Sequence, residues 1–264
     1  MHDLLVRSLR ELRHDPLERR VRGRLGDDTI VDTTRAVLLW EPRRVCPTYA
    51  VPAEDIRGDL APAPAIDGHV PGVLHPGIQF GVHTAAGEPI SIAGREGIGY
   101  RLDDDDLVGY VALDFDGFDA WQDEDEPVVG HPRDPYHRVD VHRSSRALRI
   151  ELDGDVVAET TGARLVSETN LPTRFYLPRE DVRAELRPTA SRTYCPYKGE
   201  ASWWSVDGYD DLAWSYERPL PDAVALEGLI SFWNERVDVY LDGELRRPPA
   251  GPMSEALIDE FDVA

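Results

Sequence analysis

The sequence is poor in cysteine and nearly empty of lysine. Two cysteines, Cys46 and Cys195, stand far apart in 264 residues. That is too few for a disulfide framework and fits a reducing compartment, so a cytoplasmic location is expected. No Cys-x-x-Cys pair occurs, which argues against a structural zinc site of the usual kind. Long apolar runs are lacking too. None approaches the ~18 residues of a membrane-spanning helix, and the N-terminal MHDLLVRSLRELRHDP has no signal-peptide core. Positive charge is scarce: 29 Lys+Arg stand against 50 Asp+Glu, a formal net charge of −21. Such a surface repels phosphate backbones and anionic lipid, so neither nucleic acid nor a membrane is expected as a partner. There is no P-loop and no Gly-x-Ser-x-Gly elbow, and the glycines of Gly94–Gly99 are in the wrong order for a dinucleotide fingerprint. No cofactor is predicted.

Hydrophobic residues make up 41% of the chain, enough for a globular protein. At roughly 100–200 residues per domain, the length suggests one or two domains. Of the 29 basic residues, Lys198 is the only lysine.

The chain contains a tandem repeat. Residues 28–41 (DTIVDTTRAVLLWE) align with 155–168 (DVVAETTGARLVSE), which sets Glu41 opposite Glu168. Residues 47–60 align with 172–186, and 109–121 with 228–240, setting Trp121 opposite Tyr240. Asp15-Pro16 is set opposite Asp134-Pro135. The expected organisation is an N-terminal helix (1–14), a first repeat (15–130), a second repeat (131–250) and a C-terminal tail (251–264). Segments 148–152 and 236–241 alternate as strands do, and Asp153-Gly154 and Asp242-Gly243 are hairpin dipeptides. Asp116-Gly117 and Asp207-Gly208 mark further turns. A single helical turn is expected at 179–182 after Pro178, and a short helix over 221–227. Leu4, Leu5, Leu9 and Leu12 form one stripe, which predicts a helix over 3–13 that Pro16 stops. The fold class is therefore mainly β: two tandem antiparallel β domains with a short N-terminal helix.

The densest chemistry lies in 193–204 (TYCPYKGEASWW) and 212–216 (LAWSY). Cys195 and Lys198 are the candidate catalytic residues. The ammonium can lower the thiol pKa, or Lys198 can react itself from an apolar pocket, or it can serve as a point charge for an anion. Cys195 can equally be a small buried hydrophobe beside Pro196. Gly199 would admit a ligand close to the backbone. Glu168, Tyr176, Tyr194, Tyr197, Trp204 and Trp214 are the candidate ligand-binding residues. Glu168 ends a strand, where it can act as a base, pair with Lys198 or sit on a solvated rim; Glu41 at the same place argues for a role common to both repeats. Tyr176 lines the same cavity or is a core aromatic. Trp203 and Trp204 should face opposite sides of a strand. Aromatic stripes of this kind more often pack a core than bind a ring. His69, His75 and His83 are scattered, Asp140 and His142 are two ligands too few for a metal, and Asp103–Asp106 reads as a solvated loop.

Segments 167–182, 193–204, 213–219 and 232–241 resemble the bacterial family called domain of unknown function 427, and GHPRDPYHRVDV (130–141) is similar to the junction of its tandem members. The resemblance covers most of 134–247 and, more weakly, 15–60 and 109–133. It implies a compact β fold of the β-tent (Mss4-like) kind. Zinc knuckles of that wider group do not carry over, because the cysteines are missing. A nucleotidyltransferase-like label is attached to the family, but no Gly-Ser plus paired-Asp signature supports it here. The first repeat lacks the Cys-Pro-Tyr-Lys-Gly string; matching Gly87-Glu88 to Gly199-Glu200 sets His83 opposite Cys195, Ala86 opposite Lys198 and Ile92 opposite Trp204. Three functions follow as expectations: a small-molecule site, anionic or nucleotide-like, in the second repeat; an enzyme using Lys198 or Cys195 with Glu168 or Tyr176 moving a proton; or a non-catalytic protein in which these residues pack the core. A buried, salt-bridged Lys198 without a cavity would favour the last.

Overall fold

Strand-forming alternation runs through both halves of the chain. The computed structural model describes residues 7–64, 70–206, 208–247 and 252–260. It divides into two units, Met1–Pro135 and Tyr136–Ala264. The first holds β1 (Arg13–Pro16), β2 (Val21–Leu25), β3 (Asp28–Thr33), β4 (Val37–Trp40), β5 (Thr48–Pro52), β6 (Leu60–Pro62), β7 (Gly87–Ile92), β8 (Arg95–Leu102), β9 (Tyr110–Leu113), β10 (Ala120–Asp123) and β11 (Glu126–Val128). The second holds β12 (Val139–Arg143), β13 (Leu148–Leu152), β14 (Asp155–Thr160), β15 (Arg164–Glu168), β16 (Arg174–Leu177), β17 (Leu186–Cys195), β18 (Gly199–Val206), β19 (Tyr209–Ser215), β20 (Ile230–Phe232), β21 (Asp238–Leu241) and β22 (Glu244–Arg246).

Each unit pairs a seven-stranded sheet with a four-stranded one. The orders are β1-β4-β5-β9-β8-β7-β6 with β11-β10-β2-β3, and β12-β15-β16-β20-β19-β18-β17 with β14-β13-β21-β22. Counted within each unit, the topologies are identical, and every named pair is antiparallel. In the second unit Leu148, Ile150, Phe175, Leu177, Ile230 and Phe232 fill the space between the two sheets. The opposite face of the seven-stranded sheet carries a second cluster: Val166, Tyr176, Ala201, Trp203, Trp214 and Tyr216. Asp153-Gly154 and Asp242-Gly243 take positive φ at both positions, as two-residue hairpins require. Asp116-Gly117 closes a 3-10 turn instead, and Asp207 lies outside the described residues. Short 3-10 turns occupy Arg179–Asp181 and Pro221–Leu226.

The N-terminal helix is corrected. Residues 3–6 lie outside the described residues; Arg7 and Ser8 are helical, and the chain then turns. Arg13–Pro16 pairs with Val37–Trp40, so inter-strand bonds claim the backbone that a helix would need. Leu9 is still buried, and Leu12 packs against an apolar cluster. A longer helix, α1 (Pro252–Glu260), lies instead in the stretch expected as a tail.

Register corrects three repeat alignments. Trp121 pairs with Gly23 as Val239 pairs with Ile150, so Trp121 matches Val239 rather than Tyr240. A one-residue slip reverses facing: Trp121 is buried, whereas Tyr240 lies under the Arg149 guanidinium. Asp15 pairs with Leu38 as His142 pairs with Leu165, so the first strand is matched by Asp140–Arg143, not by Asp134-Pro135. Ile90, not Ile92, occupies the place of Trp204, since Ile90 pairs with Pro62 and Gly99 as Trp204 pairs with Pro188 and Ala213. That two-residue slip preserves the facing of every side chain, so hydrophobic pattern cannot detect it. His83 and Thr84 then match Tyr197 and Lys198.

Candidate functional site

Glu168 is the last residue of β15 and points to the same side of the sheet as Val166. Its side chain is 4% exposed and forms an ion pair with Lys198, which is 7% exposed overall. The lysine is delivered by the β17–β18 hairpin, where Gly199 has φ +100°. A Cβ there would come 3.3 Å from the Arg218 carbonyl, so glycine serves the turn rather than a ligand's approach. His137 Nε2 lies 3.0 Å from the other Glu168 oxygen. A carboxylate only accepts, so Nε2 carries the proton. The His137 ring stacks on Tyr197 with centroids 4.1 Å apart.

Burial pushes the Glu168 carboxyl up, but Lys198 and the His137 hydrogen bond outweigh it and hold the pKa at about 2. Burial works against the Lys198 charge, and the Glu168 carboxylate overcomes it, so the ammonium persists well above its ordinary range. The Cys195 thiol behaves contrary to expectation. Burial pushes its pKa up, and Lys198, already neutralised by Glu168, does not reverse this. Tyr176 is fully enclosed; burial lifts its hydroxyl to about 12 despite Lys198, and the oxygen accepts from Trp214 Nε1 at 2.9 Å. Burial raises Tyr216 as well, with Tyr176, Cys195 and Glu168 adding to the effect.

The site therefore gathers Lys198, Glu168, Cys195, Tyr176, Tyr197 and Trp214 from the residues singled out in the sequence. Tyr194 and Trp204 lie apart. Tyr194 is 38% exposed on the edge strand β17. Trp204 packs toward the core between the sheets and donates to Ser215 Oγ at 3.0 Å, whereas Trp203 belongs to the outer cluster. Asp140 and His142 form an ion pair 3.2 Å apart at the surface. Asp104 accepts from the Asp106 N–H in a surface 3-10 turn. His69 lies outside the described residues. Reading the sequence missed His137: Val139 pairs with Glu168, and only that strand register shows that a histidine two residues earlier reaches the carboxylate. It also missed Arg174, which binds Glu235 at 2.6 Å and lies over Trp214 and Trp233.

The first unit solves the same local problem without lysine. Glu41 accepts from His83 Nδ1 at 2.7 Å and from the backbone N–H groups of Thr84 and Ala85 at 2.7 and 2.9 Å. His83 stacks on Tyr100 at 3.8 Å. In both units, then, a strand-end carboxylate ties down the turn before the next hairpin strand. The ammonium is specific to the second.

The architecture is that of a duplicated antiparallel β protein with one charged cluster enclosed in its second unit. Residues 140–243, within the second unit, match the model of the family NTP_transf_9, described as Domain of unknown function (DUF427). No curated protein matches the chain. Among the described residues, no helix is long and apolar enough to cross a membrane.

Proposed function

We propose that the second unit binds a small anionic, nucleotide-like molecule at the Lys198–Glu168 corner. The observation that carries this reading is a surplus of donors. An ammonium has three N–H groups, and only Glu168 accepts from Lys198 among the described residues. The Tyr216 hydroxyl has no hydrogen-bond partner among them, and the Tyr176 hydroxyl is engaged only as an acceptor. Three donors at one corner suit an acceptor-rich ligand. The first unit builds the same topology without the ion pair, so folding alone does not call for it, and replacing a whole buried ion pair with apolar residues is often neutral.

The enzyme reading loses support, because a raised thiol pKa and a firmly protonated amine leave neither Cys195 nor Lys198 nucleophilic at rest. The packing reading is favoured by one observation, the enclosed and paired lysine. Isothermal titration of the full chain with adenosine monophosphate and with inorganic pyrophosphate separates the two. Binding is expected to weaken at least tenfold in Lys198→Met and about threefold in Tyr216→Phe, which keeps the ion pair intact. Absence of saturable binding to the wild type, or equal binding by the folded variants, would leave packing as the role.

A further inference from the structure

A different place in the second unit becomes visible when the two units are compared position by position. In the first unit Arg19 Nη1 lies 2.8 Å from Asp123 Oδ2, and the Tyr49 hydroxyl donates to Asp123 Oδ1 at 2.6 Å. A largely buried carboxylate is thus held between a guanidinium and a phenol. Asp123 pairs with Val21 as Leu241 pairs with Leu148, and Tyr49 pairs with Leu38 as Phe175 pairs with Leu165. Arg19 stands two residues before Val21, as Arg146 stands two before Leu148. The second unit therefore keeps the arginine and replaces the carboxylate with leucine and the phenol with phenylalanine.

An open groove of about 320 Å³ lies there, lined by Arg146, Phe175, Asn234, Leu241, Arg246 and Arg247 among others. Val128 takes the place of Arg246 in the first unit, and Val128 and Val129 line a groove of about 390 Å³ there with Phe115, Phe118, Trp121, Asp116 and Asp119. Where the first unit carries Val128 and Val129, the second carries Arg246 and Arg247, within a chain of net charge −21. Arg146 binds Asp242 Oδ2 through Nε at 2.5 Å, and its two terminal nitrogens have no hydrogen-bond partner among the described residues. Arg247 has no ion pair among them.

We infer that this groove binds a small carboxylate with an apolar body, the ligand's carboxylate taking the role that Asp123 plays in the first unit. Arginine pairs with carboxylates through two parallel hydrogen bonds, and a free guanidinium edge over a Phe175–Leu241 floor suits a carboxylate joined to a ring or chain. The volume is at the small end of ligand pockets, roughly 300–1,000 Å³.

The test is titration of the full chain with phenylacetate and with its neutral isostere phenylacetamide, followed by calorimetry or NMR. The acid is expected to bind at least tenfold more tightly than the amide. Arg246→Gln and Arg247→Gln, both at exposed positions, should each weaken it several-fold, and Arg146→Gln at least tenfold. Leu241→Asp, which reinstates the internal carboxylate, should abolish binding in a chain that still folds. Lys198→Met should leave phenylacetate binding unchanged, which separates this groove from the Lys198 corner. Equal affinity for acid and amide, no saturable binding, or full affinity in all three arginine variants would overturn the inference. Binding lost in Lys198→Met but kept in the arginine variants would overturn it as well.

Discussion

Lys198 has one carboxylate partner and almost no solvent, so its removal is felt mainly by Glu168. Lys198→Met leaves a buried carboxylate with only His137, and a loss of about 3–5 kcal/mol is expected by denaturant titration. Acid has a related effect. The Glu168 pKa falls from 4.5 to about 2 on folding, so the pair's stability is complete above about pH 4.5 and is lost as pH falls toward 2. The shift corresponds to about 3 kcal/mol. The raised Lys198 pKa is the same interaction seen from its other partner and adds nothing further. Urea midpoints between pH 5 and 2.5 should fall more steeply in the wild type than in a Lys198→Met/Glu168→Leu variant; parallel curves would refute the pairing. Much of this site could be read along the chain, because Cys195, Tyr197 and Lys198 lie within four residues of one another. The state of the thiol could not. Sequence proximity suggests that Lys198 acidifies Cys195, but the ammonium is neutralised by a residue thirty positions away.

Between strands, both units close the same way. Thr33 and Thr160 donate to Asp55 and Asp181, each at 2.6 Å, and each threonine oxygen then accepts a backbone N–H two residues on. The clasp joins the end of one strand to the 3-10 turn after another. Asp55 also binds Arg35, whereas Asp181 has Thr160 as its hydrogen-bond partner among the described residues. Thr160→Val should therefore cost about 1.5–3 kcal/mol and Thr33→Val less, as measured by thermal unfolding. A larger loss from Thr33→Val would contradict this ranking. The repeat TT pattern at 33–34 and 160–161 was visible from the start; its acidic partner, twenty-odd residues on, was not.

At the scale of the chain, each unit has its own clusters of buried residues. A fragment spanning 136–264 is expected to fold alone, with a cooperative unfolding transition and dispersed amide NMR signals; a molten fragment would show that the unit needs more of the chain. Duplication, strand content and hairpin turns were all open to inspection in the linear sequence, because they rest on local alternation and on the backbone preferences of neighbouring residues. Whether Arg13–Pro16 joins a helix or a sheet was not, since Val37–Trp40 supplies its partner. Nor was the meeting of His137 with Glu168, or the groove where Arg146 has lost its internal carboxylate. Those depend on the register between distant strands. A shift of one residue reverses every side chain, a shift of two leaves the pattern unchanged, and only the hydrogen-bonded pairing of the folded sheets distinguishes the alternatives.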